Sequence, residues 1–442
     1  MLKTFPKGGV HPEENKLSDS NEIKPLPLPE KVIIPLSQHI GMPSKPIVDK
    51  GDKVKTGQII AKSEGFVSSN IHSSVSGTIE KIDKIIDSTG FKRDAIIINL
   101  EGDEWMKDID NTNNIKKEFN LSGNEIINKI LSAGIVGLGG ATFPSHVKLS
   151  IPKSAKIDLL IINGVECEPY LTADHRLMLE KSEEILTGIE LLKKALNVNN
   201  AIIGIENNKK DAIDKLSKLC INQKGIKIQG LKVKYPQGSE KQLIKALTKK
   251  EVPSGGLPLD VGVICFNVGT AFAVYEAIQK NKPLIERVVT VTGKSLKKPI
   301  NLMVRIGTPV KNLIEAAGGI PRNCGKIIIG GPMMGKALST VDAPIIKGSS
   351  GIVLVDESES KRKEIINCIR CAKCVSVCPM GLEPYLLMAL TENEKFNNIE
   401  DRKVMDCIEC GSCGYICPSS RPLLDYIRLG KSEVNKLKKK SS

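Results

Sequence analysis

Cys368-Ile369-Arg370-Cys371-Ala372-Lys373-Cys374-Val375-Ser376-Val377-Cys378-Pro379 and Cys407-Ile408-Glu409-Cys410-Gly411-Ser412-Cys413-Gly414-Tyr415-Ile416-Cys417-Pro418 are two copies of one spacing, Cys-x2-Cys-x2-Cys-x3-Cys-Pro. Together they take eight of the chain's twelve cysteines. Three thiolates at i, i+3 and i+6 curl a loop around one cuboidal iron–sulfur cluster, and a remote fourth thiolate closes the site. Structural zinc uses two separated cysteine pairs and needs neither the third cysteine nor the proline. Disulfides belong to exported proteins, and residues 1–16, MLKTFPKGGVHPEENK, lack the apolar core of a signal peptide. A remnant without clusters would have lost ligands, and none is missing. The block therefore predicts a helical domain over 360–430 with two [4Fe–4S] clusters. Cys167, Cys220, Cys265 and Cys324 are scattered and read as small core residues.

In the double-cluster pattern of bacterial ferredoxins, the fourth cysteine of each run ligates the other run's cluster. That pairing assigns Cys368, Cys371, Cys374 and Cys417 to one cluster, and Cys407, Cys410, Cys413 and Cys378 to the other. Clusters move single electrons and break no bonds, so a two-electron partner must be sought elsewhere in the chain.

The 442 residues suffice for about two to four domains. With 40% hydrophobic and 26% charged residues, the composition is that of a folded globular chain. Aromatics at 3% argue against a nucleic-acid reader built on stacking, and no recognition motif accompanies the net charge of +14. The charge reads either as a solvated basic surface or as attraction to an anionic membrane. Lys431, Lys436, Lys438, Lys439 and Lys440 concentrate it in a basic tail, 431–442, where each lysine is worth roughly 1 kcal/mol near an anionic leaflet. Apolar runs such as Leu159–Ile162 and Ile327–Ile329 are too short to span a bilayer. The expected location is the cytoplasm.

After an N-terminal extension, 1–30, turn residues separate short alternating apolar stretches over 31–110. This style resembles the barrel-sandwich of biotinyl and lipoyl carriers. Those carriers show a modifiable lysine on a hairpin tip, but here the tip is Val67-Ser68-Ser69-Asn70, which implies docking or scaffolding. Over 120–285 helices alternate with apolar strands, Leu159–Ile162 and Ala201–Ile205, with Leu177–Leu196 expected as one long amphipathic helix. That alternation predicts a Rossmann-like α/β domain with a largely parallel sheet.

Inside it lies Gly134-Ile135-Val136-Gly137-Leu138-Gly139-Gly140-Ala141-Thr142-Phe143-Pro144. It fails the dinucleotide fingerprint, because a helix-like stretch precedes it and the third glycine is absent. Such glycines allow a flat ring or phosphate to approach the backbone; the other reading is an ordinary loop. A β-grasp module is expected over 286–345, with a strand at Val288–Gly293 and a helix at Leu313–Ala317. The turn-rich Gly330-Gly331-Pro332-Met333-Met334-Gly335 follows, with its methionine pair read as core.

Asn163-Gly164-Val165-Glu166-Cys167-Glu168-Pro169, Gly238-Ser239-Glu240 and Phe266-Asn267-Val268 come after the glycine loop in that order. With Lys148 they resemble the flavin- and NADH-binding subunit of respiratory complex I. The resemblance implies FMN held non-covalently by Gly137, Gly139, Gly140, Lys148, Asn163, Glu166, Glu240 and Asn267. It places Phe143 and Glu168 on the nicotinamide side, as the catalytic pair. Leu138, Val165 and Ser239 depart from that family's arginine, aspartate and glutamate.

Module order names a nearer family. A barrel-sandwich, a flavin domain, a β-grasp module and a double cluster domain in this sequence resemble the RnfC component of the Rnf ion-translocating ferredoxin:NAD+ oxidoreductases. That resemblance implies a peripheral subunit on the cytoplasmic face of the membrane, docked on membrane subunits, with NAD(H) as substrate and ferredoxin as the ultimate electron partner. The alternative is a soluble flavin and iron–sulfur reductase such as a cobalamin reductase. A third reading is a relay with clusters but no flavin.

Overall fold

The computed structural model describes residues 1–441 other than Lys153 and Asn222. Strand β1 (Ile23–Pro25) leaves the N-terminal extension to join a sheet far along the chain. The next strands are β2 (Lys31–Pro35), β3 (Lys45–Pro46), β4 (Lys53–Val54), β5 (Ile59–Lys62), β6 (Ile71–His72), β7 (Gly77–Ile86) and β8 (Lys92–Leu100). They form two small sheets, ordered β2-β8-β7-β4 and β3-β5-β6, around Val32, Ile34, Ile60, Ile71, Ile79, Ile96 and Ile98. Inward and outward residues alternate along β2 because successive side chains leave opposite faces of a strand. The carrier-like tip is docked: Ser68 and Ser69 are buried, and Asn70 Nδ2 donates to the carbonyls of Leu131 and Ser132. Lys347 Nζ clamps the same corner, donating to Asn70 O and Gly134 O.

Leu131 and Ser132 lie at the end of α1 (Gly123–Ser132), which starts in a capping box between Ser122 and Glu125. The short α2 (Ser145–Leu149) follows the glycine loop. Then β9 (Leu159–Asn163), α3 (Ala173–Glu180), α4 (Ser182–Leu196), β10 (Ala201–Glu206), α5 (Lys210–Cys220), β11 (Ile226–Leu231), α6 (Glu240–Thr248), β12 (Val263–Asn267) and α7 (Val268–Gln279) build the α/β layer. Its sheet is wholly parallel, ordered β11-β10-β9-β12, and the central strands are nearly continuous apolar runs, as burial on both faces requires. Leu177–Leu196 is not one helix. The chain breaks at Lys181, where Ser182 Oγ donates back to Met178 O, and Glu183 and Glu184 start a new first turn. Gly188 lets α4 lie directly on α7, since a Cβ there would stand 1.9 Å from Ala271 O.

A mixed sheet follows, from β13 (Glu286–Thr292), β14 (Ile300–Arg305), β15 (Cys324–Ile329), β16 (Lys336–Ala337) and β17 (Gly351–Asp356), with α8 (Val310–Ala316) after β14. Its order, β1-β14-β13-β17-β15-β16, shows that a module ending at 345 would lose β17, which sits between β13 and β15. After α9 (Glu357–Ser360), the cysteine runs are carried by α10 (Lys373–Ser376), α11 (Pro384–Glu392), α12 (Phe396–Asp401), α13 (Ser412–Ile416) and α14 (Leu423–Ser441). The expected basic tail is no tail. Val434 is fully buried, Lys431 Nζ donates to Cys407 O and pairs with Glu409, and Lys438 pairs with Glu400. Ser442 and the Lys440 side chain lie outside the described residues.

The N-terminal extension is a strap. Lys3 bridges to Leu231, Phe5 is buried beneath α6, Val10 bridges to Tyr235, and Gly9 N donates to Val377 O at 2.8 Å. It thus ties the α/β layer to the cysteine domain. Among the described residues, no helix is long and apolar enough to cross a membrane.

Candidate flavin crevice and cluster sites

The chain winds β9, β10, β11 in one direction and then crosses to β12 on the other side of β9. A crevice opens at such a switch point, outside the carboxyl ends of the strands. Asn163 and Asn267 are register partners at those two ends. Asn163 Nδ2 donates to Gly238 O at 2.8 Å, and its oxygen accepts from Val165 N. Asn267 caps α7 by accepting from Gly269 N at 2.8 Å, and its Nδ2 donates to Asp174 Oδ2 at 2.7 Å. Lys148 Nζ reaches in from α2 to Glu240 Oε1 at 2.6 Å and Cys265 O at 2.7 Å, 5.5 Å from the centre of the Phe266 ring.

The glycine loop closes on itself through Gly137 N to Phe143 O, and Leu138 N donates to Thr270 Oγ1. Its crest stands over Asn267, because a Cβ on Gly139 would lie 3.3 Å from Asn267 Cβ. At Gly140, φ is +111° and an added Cβ would meet nothing within 4 Å. Bare, exposed backbone beside two amides and an ammonium is a donor set that fits a flat heteroaromatic ring with an anionic tail. Glu166 is used differently: its carboxylate accepts from Asp174 N and His175 N at the start of α3. Burial and the Glu166 charge push the Asp174 carboxyl up to about 7. Gly137, Gly139, Gly140, Lys148, Asn163, Glu240 and Asn267 thus converge, with Glu166 behind them, bonded to the Asp174 that holds Asn267, and half-buried Phe143 closing the loop.

Glu168 has partners that its motif does not announce. Its two oxygens accept from Met333 N at 3.0 Å and Met334 N at 2.8 Å, so the carboxylate is committed to the Gly330–Gly335 turn. Burial pushes it up to about 7 against the pull of those amides and of Lys16. Lys16 Nζ itself donates to the carbonyls of Glu166, Glu168 and Leu171, fixing the loop from the strap side. Sequence reasoning misses Tyr235 and Lys16. Tyr235 stands three residues before Gly238, and that proximity is the one signal that could have found it. A cavity of about 190 Å³ lies here, lined by Cys167, Tyr235, Glu206, Lys16 and Lys234 among others.

Seven of the eight cysteines fall into two groups. Cys378 lies within electrostatic reach of Cys407, Cys410 and Cys413, and Cys374 within reach of Cys417 and Cys368. Among the described residues, no two cysteines are joined by a disulfide. Both runs use the same backbone device: Arg370 and Ala372 flank Cys371 with φ of 56°, and Glu409 and Gly411 flank Cys410 with φ of 55° and 77°. Left-handed residues on either side of the middle cysteine curl each loop and turn its N–H groups inward, a concavity suited to an anionic centre. Among the described residues, no three His, Cys, Asp or Glu are drawn around a single metal ion. The Cys378 group is largely buried, whereas Cys368 and Cys371 are exposed. Tyr235 Oη donates to Cys410 O at 2.8 Å, so the buried group is the one fastened to the α/β layer.

Comparison with known families follows the same order along the chain. Residues 3–103 match the RnfC barrel sandwich hybrid domain, 130–276 the Nuo51 FMN-binding domain, 288–337 the SLBB domain and 361–418 the 4Fe-4S dicluster domain. Among curated relatives, the C component of the proton-translocating ferredoxin:NAD(+) oxidoreductase complex of Clostridium ljungdahlii is 48% identical over 98% of this chain and 94% of its own length. The Na(+)-translocating counterpart from Acetobacterium woodii is 43% identical over 97% and 96%. The corresponding component of the ion-translocating oxidoreductase complex of Rhodobacter capsulatus is 40% identical over 87% and 74%. Among solved structures, an NAD+-reducing [NiFe]-hydrogenase in the H2-reduced state shares the fold, with a TM-score of 0.50 and 17% identity over 70% of this chain and 62% of that one. With relatives this similar along nearly its whole length, the chain belongs to the RnfC family, the C components of the ion-translocating ferredoxin:NAD(+) oxidoreductase complexes.

Proposed function

We propose that this chain is the nicotinamide-facing electron-transfer subunit of a membrane-bound, ion-translocating ferredoxin:NAD+ oxidoreductase, linking NAD(H), FMN and two [4Fe–4S] clusters. The observation that carries the reading is that one chain joins the switch-point crevice to the buried cysteine group through Tyr235 and Cys410. Bound FMN would supply the exchange between two-electron hydride transfer and the one-electron steps of the clusters.

The residues divide the remaining work. Lys148, held by Glu240, offers its charge to an anionic group, and the amides of Asn163 and Asn267 orient a ring edge. Gly137, Gly139 and Gly140 let the ring approach the backbone, and Phe143 covers the outer side. Cys407, Cys410, Cys413 and Cys378 would hold the inner cluster; Cys368, Cys371, Cys374 and Cys417 would hold the outer one. Ile365, Ile366 and Ile369 are exposed beside the outer group, with Lys361, Arg362, Lys363, Arg370 and Lys373 around them, a surface suited to a membrane-embedded partner on the cytoplasmic face.

Anaerobic reconstitution with iron, sulfide and FMN, followed by NADH titration, tests the reading. The expected result is about eight irons per chain from two four-iron sites, with NADH bleaching flavin and then cluster absorbance. Clusters that form while NADH bleaches nothing would make the chain a relay and sink the proposal.

A further inference from the structure

We infer that Glu168 is a positioning residue at a three-way joint, locking the Gly330–Gly335 turn onto the Cys410 segment and so fixing the inner cluster site relative to the crevice. The inference rests on the flavin and cluster assignments proposed above, and it replaces the nucleotide-side role that the family resemblance implied for this residue.

Three contacts carry it. First, the turn is closed around the carboxylate. Glu168 accepts from two successive amides, Met333 N and Met334 N, and a Cβ on Gly331 would stand 2.2 Å from Glu168 Oε2. Second, the far side of the turn presses on the cysteine domain, because a Cβ on Gly411 would lie 2.7 Å from Met333 O. Gly411 adjoins Cys410, whose carbonyl accepts from Tyr235 Oη. Third, Val10, Tyr235, Cys410, Met333, Val377 and Ile408 share one apolar cluster that seals the joint. The loop bearing Glu168 cannot drift, since Lys16 holds its carbonyls. From the crevice, Asn163 bonds Gly238 O, and Gly238 N donates to Cys167 Sγ at 3.3 Å, one residue from Glu168. The carboxylate therefore sits where crevice loop, turn and cluster segment meet.

The test uses the full chain with Glu168→Ala, Glu168→Gln and Tyr235→Phe. In stopped-flow with NADH on reconstituted protein, the flavin-bleaching phase and the KM for NADH are expected to stay within about twofold. The cluster-bleaching phase should slow by about tenfold in Glu168→Ala and less in Glu168→Gln, as a small misplacement at a distance can cause. In protein without cofactors, hydrogen exchange should rise in peptides covering 331–335 and 407–413 and stay unchanged over 137–144. A slower flavin phase or a raised KM, with the cluster phase and exchange unchanged, would overturn the inference and return Glu168 to the nucleotide. If Glu168→Ala does not fold, Tyr235→Phe decides: slowed cluster bleaching with an intact flavin phase supports the joint, and two unchanged phases overturn it. Wild-type protein that NADH does not bleach would sink the proposed function instead, and the exchange result would then judge the joint alone.

Discussion

We propose that Cys378 and Cys417 each close the other run's cluster, and this crossing can be read out by counting iron. Cys378 stands with Cys407, Cys410 and Cys413, whereas Cys417 stands with Cys374 and Cys368. Substitutions within one site should cost no more than either alone, while substitutions in different sites should add. Cys378→Ser with Cys410→Ser is expected to leave about four irons per chain, and Cys378→Ser with Cys371→Ser close to none. The reverse pattern would mean that each run closes its own cluster. The spacing of the cysteines announces a cluster domain, and the motifs announce that Lys148, Asn163, Glu240 and Asn267 lie together. The contacts of Glu168 are not legible, because its partners, Met333 and Met334, lie about 165 positions further on, in a turn whose own residues suggest only packing.

Apolar runs locate β9 and β10 within a residue, since burial on both faces leaves few polar positions in the strand. The break at Lys181 leaves no trace, because lysine is an ordinary helix residue and the cause is a hydroxyl bonding backwards. The basic end misleads for a similar reason: charge is visible in a sequence, but the burial of Leu423, Ile427 and Val434 that seats α14 is not. The helix is part of the cluster domain, with Lys431 bonded to the carbonyl of the ligand-bearing Cys407. Ending the chain after Gly430 should therefore speed iron loss to a chelator several-fold. Lys436→Gln with Lys438→Gln, which removes surface pairs worth about 0–1 kcal/mol each, should change it little. Equal iron loss in both variants would assign the effect to charge and not to packing.

The order of modules is readable, but the joints between them are not, because each joint is made by residues ordinary in their own segment. The strap shows this most plainly. Residues 3–16 bury Phe5, bond Val377, bridge to Tyr235 and hold three carbonyls through Lys16. Deleting residues 1–17 should leave the crevice able to take up FMN and should loosen the cluster domain. Thermal unfolding of the intact chain as one transition is expected to split into two, seen by flavin fluorescence and cluster absorbance in parallel. A single shared transition in the deletion variant would show that other contacts hold the modules together.

The strap also imposes a timetable. Phe5 O is met by Lys234, 229 positions later, and Gly9 by Val377, later still. During synthesis the strap emerges long before the Lys234 and Val377 segments that it grips. Closing so long a loop is slow, since its entropy is lost before any contact is gained. The nascent protein must therefore pass through a stage in which the strap hangs loose and the cysteine domain is not yet fastened to the α/β layer.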